Sequence, residues 1–435
     1  MASFFIPLTG LNADTTSLNT IANDLANMST TGFKSQTVNF SDLFYQQIGS
    51  TGSGDPIQTG AGTQVASITT DFSNGTPNST GLHTDVALQG NGFFVVSNNS
   101  GEFLTRAGHF TTSSKGDLIT ANGMNVMGYP AANGVVNTAS PIAPINIPIG
   151  QVLSPKATTS FNMTANLDGT GTNTVFPATV EVYDSLGEMH TATVTYTQTG
   201  VNTWGYSIAL PAADTGGVST PVAGHLTFGS DGNVATVDII TGPTVPPATV
   251  PPTSPIANGI IPVAFTGLTD GATNLSMNWN LLGSAGTSTL TQVSAASNAP
   301  AGSTSAVSAR TQDGYASGQY SDFAIGTDGT VTVSFTNGQK LNVGQIAMGN
   351  VTNQQGLHAM GGGDYSATLA SGSVAIGTSG SAGLGTMQNG ALEGSNVNIS
   401  GQFSALIIAQ RAFEANSKTI TTFDTITQET IQMIH

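Results

Sequence analysis

The two ends of the chain share a helical pattern that the long middle lacks. Near each end, mostly apolar residues recur at spacings of three and four, which places them in one stripe along an α-helix and suits knobs-into-holes packing. The first stripe is Leu8, Leu11, Thr15, Leu18, Ala22 and Leu25, and the second is Ile399, Phe403, Leu406, Gln410, Phe413, Ser417, Ile420, Asp424, Thr427, Ile431 and Ile434. Each stripe needs a partner, which is the other helix, a neighbouring copy of the chain, or both. The pattern therefore predicts a self-assembling subunit rather than an enzyme.

The residues that flank the stripes predict where the helices begin and end. Pro7 suits the first turn of a helix, because the N–H that proline lacks has no helical acceptor there. The first helix is predicted to run from Pro7 to about Met28 and to end in the turn-favouring residues 29–32. Residues 33–45 are amphipathic and ambiguous. Residues 46–62 are rich in Gly and Ser and predict an extended linker or loop.

The middle of the chain changes to short apolar runs bounded by Gly, Asn and Pro, which predict β-strands. Residues 86–88 and 93–96 flank the turn-forming residues 89–92, and this arrangement predicts a β-hairpin. Further strands are predicted at residues 118–119, 126–127, 179–183, 191–197, 204–210 and 331–335, with a tight turn at Asn337-Gly338.

Passages rich in Pro or small residues divide this middle. The passage 141–155 predicts a domain boundary, 243–252 a surface loop and 294–308 a return linker. The order of elements predicts an α+β multidomain protein, with the terminal helices pairing as an α-helical coiled-coil domain and mainly-β domains nested between them. The predicted domains are a terminal helical axial domain with linkers at residues 1–70 plus 371–435, an inner β domain at 71–150 plus 301–370, and an outer β domain at 151–300.

The charge of the chain is sparse and acidic. Charged residues make up 7% of its 435 residues, against about 25% in an ordinary soluble protein. The formal net charge is −16, and Lys and Arg form no cluster. The sequence therefore lacks the basic patch that binds nucleic acid or an anionic membrane. The chain has no Cys, which excludes disulfides, thiolate metal ligands and a thiol nucleophile.

The sequence near the amino terminus does not predict a cleaved secretory signal. No Lys or Arg precedes the apolar residues 3–11, and Pro7 and Thr9 interrupt them. Eighteen consecutive apolar residues occur nowhere, so we expect neither a membrane span nor a lipid anchor. This pattern is typical of a cytoplasmic protein or of one that leaves the cell through a dedicated export apparatus.

Motifs for catalysis or ligand binding are absent from the sequence. It contains no phosphate-binding G-x-x-x-x-G-K, no G-x-G-x-x-G after a strand and no nucleophile motif G-x-S-x-G. The histidines are scattered without the close spacing of metal ligands, so we expect surface or structural roles for His83, His109, His190, His225, His358 and His435. We predict no catalytic, cofactor-binding or metal site.

Short motifs at both ends resemble a known family. Residues 9–12 (TGLN), 21–27 (IANDLAN) and 31–34 (TGFK) are similar to the amino-terminal signature of the bacterial flagellar rod, hook and hook-associated proteins. Residues 391–397 (ALEGSNV) and 409–416 (AQRAFEAN) are similar to the carboxyl-terminal signature of the same family. Both signatures, at opposite ends and in the right order, make this resemblance highly specific.

The middle resembles the hook members of this family more than the rod members. Residues 85–94 and the motif TRAGHF at 105–110 are similar to the family's first β domain, and GYP at 128–130 is similar to its close. The motif VYDSLG at 182–187, with His190 and Trp204 downstream, resembles the outer β domain of hook proteins, which rod proteins lack.

The resemblance implies a structural subunit of the flagellar hook. Such a subunit is not an enzyme, polymerises with itself into a flexible helical tube and passes motor torque to the filament. It is exported through the flagellar type III apparatus without a cleaved signal peptide, acts outside the cell and meets the rod, the hook cap and the hook–filament junction proteins. It needs no cofactor.

The resemblance and the stripes together give the predicted site residues. The axial assembly interface is predicted to contain Leu8, Leu11, Leu18, Ile21, Leu25, Phe403, Leu406, Phe413, Ile420 and Ile431. The family signature falls on Asn23, Asn27, Gly32, Phe33, Lys34, Asn396, Gln410, Arg411 and Asn416.

Three alternatives stay open at this point. A distal rod protein would share the signatures around residues 392–394, and the long passage 46–62 is unusual for a compact hook subunit. A secreted β-rich adhesin would explain the middle but not the matched terminal stripes. An extracellular hydrolase would need a pocket with convergent polar groups, to which no motif points.

Overall fold

The fold is mostly β-strand with a long helix at each end, in agreement with the predicted α+β class. The computed structural model describes residues 4–44, 46–50, 52, 54–170, 174–217, 220–240, 259–282, 287–293, 305–381 and 383–433. The chain forms two compact units. The first comprises Met1–Ile149, Ser321–Ser334 and Lys340–His435, and the second comprises Gly150–Tyr320 and Phe335–Gln339.

Two long helices and two short ones occur among the described residues. The helices are α1 (Phe5–Ala26), α2 (Ala212–Thr215) and α3 (Ile399–Met433), and a 3-10 turn spans Gln354–Gly356. The limits of α1 lie close to the predicted ones, and α3 begins at the first residue of its stripe. Within the described part of the chain, neither long helix combines the length and apolar character that crossing a bilayer requires.

The strands of the first unit come from both sides of the second unit in the sequence. Those before it are β1 (Gln36–Asp42), β2 (Gln46–Ser50), β3 (Pro56–Thr59), β4 (Thr63–Thr70), β5 (Pro77–Ser79), β6 (Val86–Gln89), β7 (Phe93–Asn98), β8 (Gly101–Thr105), β9 (Phe110–Thr112), β10 (Leu118–Thr120), β11 (Asn125–Ala132), β12 (Val135–Val136) and β13 (Ala143–Pro144).

The second unit contains the next group of strands. They are β14 (Val152–Leu153), β15 (Ser160–Asp168), β16 (Val175–Tyr183), β17 (Met189–Gly200), β18 (Thr203–Ala209), β19 (Val222–Phe228), β20 (Val234–Val237), β21 (Ile260–Phe265), β22 (Leu275–Asn280), β23 (Leu290–Val293) and β24 (Ala306–Gln312).

The remaining strands are β25 (Gly318–Ile325), β26 (Thr330–Phe335), β27 (Lys340–Ile346), β28 (Met348–Asn350), β29 (His358–Gly361), β30 (Asp364–Ser366), β31 (Ala375–Gly377), β32 (Thr386–Asn389) and β33 (Ala391–Glu393).

Strand β7 lies inside the main sheet of the first unit. Part of this sheet has the strand order β26-β27-β11-β7-β8-β30-β29. Four consecutive residues of β7, Phe93 to Val96, are fully buried, as expected of a strand that is covered on both faces. The ring of Phe94 packs edge-on against Phe110, with 5.0 Å between centroids.

The predicted hairpin of residues 86–88 and 93–96 is wrong. β6 pairs with β32, with Val86 opposite Asn389, while β7 pairs with β8 on one edge and with β11 and β28 on the other. The intervening Gly90 and Gly92 do turn the chain, with φ of +98° and +118°. Both edges of β7 are filled by other strands, so β6 finds its partner near the carboxyl terminus.

Residues 46–62 form a paired ribbon and not the predicted linker. β2 and β3 are antiparallel, with Gln46 opposite Thr59 and Ser50 opposite Pro56. Gly52 and Gly54 lie between these strands, where Gly54 has φ of +90°, whereas Gly49 lies within β2 and Gly60 and Gly62 follow β3. The ambiguous segment before the ribbon contributes β1, which pairs with β4.

The second unit is a sandwich of two five-stranded sheets. One sheet has the order β16-β17-β18-β19-β20, and the other has β21-β22-β15-β23 with β24 also on β15. Alternate residues of both sheets form one core, as in other β-sandwiches. Trp279 lies at its centre, stacked on Phe161 at 5.9 Å and edge-on to Tyr206 at 5.6 Å.

Several strand predictions are confirmed by this fold. The segments at 179–183, 191–197 and 331–335 lie in β16, β17 and β26, and Gly338 forms the predicted turn with φ of +78°. The predicted surface loop at 243–252 and most of the predicted linker at 294–308 fall outside the described residues.

Candidate assembly interface and signature site

The two long helices of the first unit pack against each other in opposite directions. Side by side along the pair lie Phe4 and Phe423, with ring centroids 6.0 Å apart, and then Asp14 and Asn416, whose Nδ2 donates to Asp14 Oδ2 at 2.8 Å. At the far end, Gln402 Nε2 donates to Asp24 Oδ2 at 2.9 Å. Residue numbers rise along α1 as they fall along α3, so the helices are antiparallel.

On α3 this contact follows every seventh residue, from Gln402 through Ala409 and Asn416 to Phe423. Gln402 and Asn416 are polar, Ala409 is small and buried, and a large apolar side chain, Phe423, stands at one end of the line. Opposite Asn416, a Cβ on Gly10 would lie 2.7 Å from Nδ2, so the absence of a side chain there permits the close approach. The stripes did not reveal this line, because counting apolar residues places Gln402 and Asn416 outside any core.

The predicted interface residues flank this line and are unevenly covered. Ile21 is buried. Six others are half-buried: Leu11, Leu18, Leu25, Leu406, Phe413 and Ile420. The remaining three are exposed, namely Leu8, Phe403 and Ile431.

Further apolar side chains lie exposed beside the stripes. Phe5 is 56% exposed, Ile407 is 53% exposed and Ile408 is 69% exposed. Burying such a side chain is worth about 1.5–3 kcal/mol. The helix pair of a single chain therefore leaves a large apolar surface uncovered, which is typical of an interaction site.

The first unit also contains a buried ionic cluster, which joins segments from both ends of the chain. Lys34 Nζ lies 2.7 Å from Glu393 Oε1, and Arg106 Nη1 lies 3.2 Å from Glu393 Oε2. All three side chains are at most 1% exposed. Lys34 follows α1, Arg106 follows β8 and Glu393 ends β33, so one carboxylate holds three distant segments together.

Neighbouring carbonyl groups accept further hydrogen bonds from the two cations of this cluster. Lys34 Nζ also donates to the Ser73 carbonyl at 2.6 Å, and Arg106 Nη2 donates to the Gly90 carbonyl at 3.0 Å. The Arg106 guanidinium lies 5.2 Å from the centre of the Phe93 ring, within cation–π range.

The cluster contains two cations and one anion, and this imbalance affects Lys34. Burial lowers the pKa of Lys34, the hydrogen bond and charge of Glu393 oppose that effect, and the charge of Arg106 adds to it. Glu393 is therefore the group on which both buried cations depend.

Asn396 and Gly32 connect the same segments through the backbone. Asn396 Oδ1 accepts from the Ser35 N–H at 2.8 Å, while its Nδ2 donates to the Asp71 carbonyl at 2.8 Å. The Gly32 N–H donates to the Glu393 carbonyl at 2.8 Å. Gly32 has φ of +69°, and a Cβ there would lie 2.9 Å from the Arg106 carbonyl carbon, so no other residue fits well.

The other signature residues lie on the helices or just after α1. Asn27 caps the end of α1, since its Nδ2 donates to the Asn23 carbonyl at 2.9 Å. Phe33 is half-buried, while Gln410 and Arg411 are exposed on α3. The structure thus brings Gly32, Lys34 and Asn396 into one site, places Asn416 in the helix contact and leaves Gln410 and Arg411 at the surface.

Sequence reasoning did not identify Arg106 and Glu393 as partners of Lys34. Arg106 lies 72 residues from Lys34 in the sequence and Glu393 lies 359 residues from it, and no local spacing rule reaches so far. A usable signal was present, since charged residues are only 7% of the sequence and these three all lie in the motifs TGFK, TRAGHF and ALEGSNV.

Four family models match the chain in order. "Flagella basal body rod protein" matches residues 8–34, "Flagellar hook protein FlgE/F/G D1 domain" matches 87–170, "Flagellar basal body protein FlaE D2 domain" matches 153–315 and "Flagellar basal body rod FlgEFG protein C-terminal" matches 388–433. The first of these covers α1 from Leu8 onward, the last contains α3, and the D2 match lies within the second unit.

Relatives match over nearly the full length of the chain. The flagellar hook protein FlgE of Salmonella typhimurium is 34% identical over 444 residues, which cover 98% of each chain. That of Treponema pallidum is 32% identical over 472 residues, again covering 98% of each chain. The solved flagellar hook protein FlgE2 of Helicobacter pylori has a similar fold, with a TM-score of 0.51 at 15% identity, covering 73% of this chain and all of that one. The identity over whole chains shows that this protein belongs to the flagellar hook protein family.

Proposed function

We propose that this chain is the structural subunit that polymerises into the flagellar hook, a flexible helical tube that transmits torque from the motor to the filament. The observation that carries this proposal is the similarity to hook proteins along 98% of the chain. Hook proteins are structural, so the sequence-based prediction that the chain is not an enzyme is confirmed.

The exposed apolar surface of the helix pair is the proposed assembly interface. We infer that α1 and α3 act as a coiled-coil pair and that a neighbouring copy covers Leu8, Phe403 and Ile431, which a single chain leaves exposed. A contact between different surfaces of successive copies that does not close into a ring produces a helical filament. The six residues of the predicted interface that are half-buried in the single chain would lie at the edge of this surface.

The proposed division of labour follows the predicted domains. The terminal helical domain, at residues 1–70 plus 371–435, would form the inner wall of the tube. The inner β domain, at 71–150 plus 301–370, and the outer β domain, at 151–300, would lie at larger radius. Contacts at large radius change length most when a tube bends, so the outer domain is proposed to control curvature.

The location and partners follow from the hook function. The subunit would pass through the flagellar type III export apparatus without a cleaved signal peptide and act outside the cell. At the ends of the tube it would meet the rod, the hook cap and the hook–filament junction proteins. The rod and adhesin alternatives are not favoured, because relatives that span nearly the whole chain are named hook proteins.

Electron microscopy of the purified chain after polymerisation tests the proposal. The expected product is a tube of uniform diameter, and circular dichroism of the same sample should show no loss of helix. Purified protein that forms no filament under conditions that polymerise the Salmonella typhimurium relative would contradict the proposal. Amorphous or β-rich aggregates alone would favour the adhesin.

A further inference from the structure

A histidine in the second unit is surrounded by three aspartates from separate segments. His190 is the second residue of β17, Asp184 lies in the turn before that strand, Asp214 belongs to α2, and Asp270 lies in the loop between β21 and β22. The side chains of Asp184 and His190 are buried, at 0% and 5% exposed, while Asp214 and Asp270 remain partly accessible. Asp184 lies only six residues before His190 in the sequence, but Asp214 and Asp270 lie 24 and 80 residues after it, so the sequence gave no sign of the whole cluster.

The two ring nitrogens of His190 have different surroundings. Nδ1 lies 3.0 Å from Asp214 Oδ2. Nε2 lies 3.3 Å from Asp184 Oδ2 and 3.8 Å from Asp270 Oδ2. An Nδ1–H that donates to Asp214 leaves the lone pair of Nε2 facing two carboxylate oxygens. This is the arrangement of a carboxylate-supported histidine ligand.

The backbone holds both of these carboxylates in position. Asp184 Oδ1 accepts from the N–H groups of Leu186 and Glu188, each at 2.9 Å, and Asp270 Oδ1 accepts from the Ala272 N–H at 3.0 Å. In each aspartate the Oδ1 atom is thus occupied, and Oδ2 is the atom that faces Nε2.

Hydrogen bonds between the loops fix the segments that carry the aspartates. The Thr269 N–H donates to the Asp214 carbonyl at 2.9 Å, and the Thr273 N–H donates to Ser185 Oγ at 3.1 Å. The loop that carries Asp270 is therefore attached to both α2 and the turn of Asp184. The cluster is built before any ligand arrives.

The charges of the cluster do not balance. Three carboxylates surround one imidazole, and even a protonated ring leaves an excess of negative charge. Among the described residues, His190 supplies the ion pairs to all three aspartates. The buried carboxylate of Asp184 and the more accessible one of Asp270 face the same ring nitrogen and repel each other, and a cation between them removes that cost.

We propose that Asp184, His190 and Asp270 bind a divalent transition metal ion of the zinc class, with Asp214 orienting the histidine. Zn²⁺ bound to nitrogen and oxygen at about 2.0–2.1 Å in a tetrahedron separates its ligand atoms by about 3.3–3.4 Å. The Nε2 to Oδ2 distances of 3.3 and 3.8 Å are close to that value, and all three ligand atoms lie within 4.8 Å of one another. A mixed imidazole and carboxylate set suits such a metal better than Ca²⁺ or Mg²⁺, which prefer oxygen ligands alone.

The role of this ion would be structural. It would connect the turn of Asp184, β17 and the loop of Asp270 at one edge of the sandwich. Water at the accessible Asp270 side would complete the coordination. Since only the folded unit gathers these ligands, bound metal would stabilise the second unit against unfolding.

Zinc titration of the full-length protein tests the proposal. After treatment with a chelator, isothermal titration calorimetry with Zn²⁺ should give one saturable site per chain, and the melting temperature of the second unit should rise. Asp270→Asn retains an acceptor for Ala272 but lacks the charge, so it should fold normally and bind Zn²⁺ at least about 100-fold more weakly. Asp214→Asn should weaken binding by about 10- to 100-fold, as expected for loss of a supporting carboxylate.

A matched control is available in the same unit. His225 Nδ1 lies 3.3 Å from Asp238 Oδ1, and within the described part of the chain no second carboxylate lies within ion-pair distance of it. Asp238→Asn should therefore leave zinc affinity unchanged. The absence of a saturable site in the chelator-treated protein, or equal binding by the unmodified chain and Asp270→Asn, would overturn the proposal and leave a protonated histidine as the charge partner of the cluster.

Discussion

Lys34 and Glu393 are 359 residues apart in the sequence, yet their side chains meet at 2.7 Å in a fully buried ion pair. The pair joins the segment that follows α1 to the segment that precedes α3. Arg106 shares the same carboxylate, at 3.2 Å. Glu393 therefore links the segments next to the two terminal helices, in addition to the hydrogen bonds of Asn396 and the direct contacts between the helices.

Because two cations share the carboxylate of Glu393, removing this carboxylate should destabilise the first unit more than removing one of the cations. Glu393→Gln leaves two buried cations unpaired and should destabilise the first unit by about 3–5 kcal/mol. Lys34→Met keeps the pair of Glu393 with Arg106 and replaces one cation by an apolar side chain, so its cost should be smaller, about 1–2 kcal/mol. Urea unfolding of the purified variants measures both free energies.

The same substitution at an exposed glutamate is the control for this comparison. Glu102 lies at the surface of β8, and Glu102→Gln should change the free energy of unfolding by less than about 0.5 kcal/mol. If Lys34→Met proves more costly than Glu393→Gln, Glu393 is not the group that both cations depend on.

Asp313 gives the second unit a specific acid sensitivity. Burial alone would raise the pKa of Asp313, but hydrogen bonds from the Thr159 hydroxyl, the N–H groups of Ser160 and Thr159, and Lys156 outweigh it and lower the pKa to about 2. A carboxyl with a lowered pKa contributes stability above its unfolded value of 3.8, and that contribution is lost as the pH falls toward 2.

The variant Asp313→Asn isolates this contribution. At pH 7 it should destabilise the second unit by roughly 1–2 kcal/mol, allowing for the partial exposure of the side chain. The difference from the unmodified protein should shrink as the pH falls from about 4 to about 2, because the unfolded carboxyl takes up a proton near 3.8 while the folded one stays ionised until about 2. A difference that stays constant over this range of pH would show that the ionised carboxylate is not responsible.

The carboxyl-terminal part of α3 should be the first segment that a protease removes from the monomer. Every described residue from Asp424 to Met433 is exposed, and this segment begins just after Phe423, which packs against Phe4. Such a segment opens at low cost. Limited proteolysis followed by mass spectrometry should show cleavage beyond Phe423 in the monomer and protection in the polymer. Equal cleavage rates in both states would show that assembly does not cover this segment.

The periodic features of the fold were predictable from the sequence, and the non-local ones were not. The spacing of three and four located α1 and α3, because helix periodicity is a local property. The pairing of β6 with β32 could not be predicted, since the turn at Gly90 and Gly92 is as compatible with a hairpin as with a crossing to another strand.

In the candidate site, too, some residues were predictable from helix periodicity and others were not. The stripes identified flanking residues such as Phe413, but they missed the centre of the helix contact, where Asn416 meets Asp14 and Gly10. Polar and small residues carry no apolar signal, although they allow the closest approach of two helices. The partners of Lys34 were also missed, as were Asp214 and Asp270 beside His190, because they come from segments that only the fold brings together.

The central claim is that a second copy of the chain covers the exposed apolar stripe of α3. Phe403 is 50% exposed and belongs to that stripe, whereas the adjacent Ser404 is exposed and lies outside it. An aspartate at either position adds the same charge to the same helical turn, but only the one at 403 would be buried without a partner on assembly. Both variants should remain folded as monomers.

The most direct measurement is the fraction of purified protein that polymerises into tubes, determined by sedimentation and electron microscopy for Phe403→Asp and Ser404→Asp side by side. We predict that Phe403→Asp stays monomeric with an unchanged melting temperature of the second unit, while Ser404→Asp forms tubes like the unmodified chain. Normal tubes from Phe403→Asp would contradict the claim that this stripe is the assembly interface.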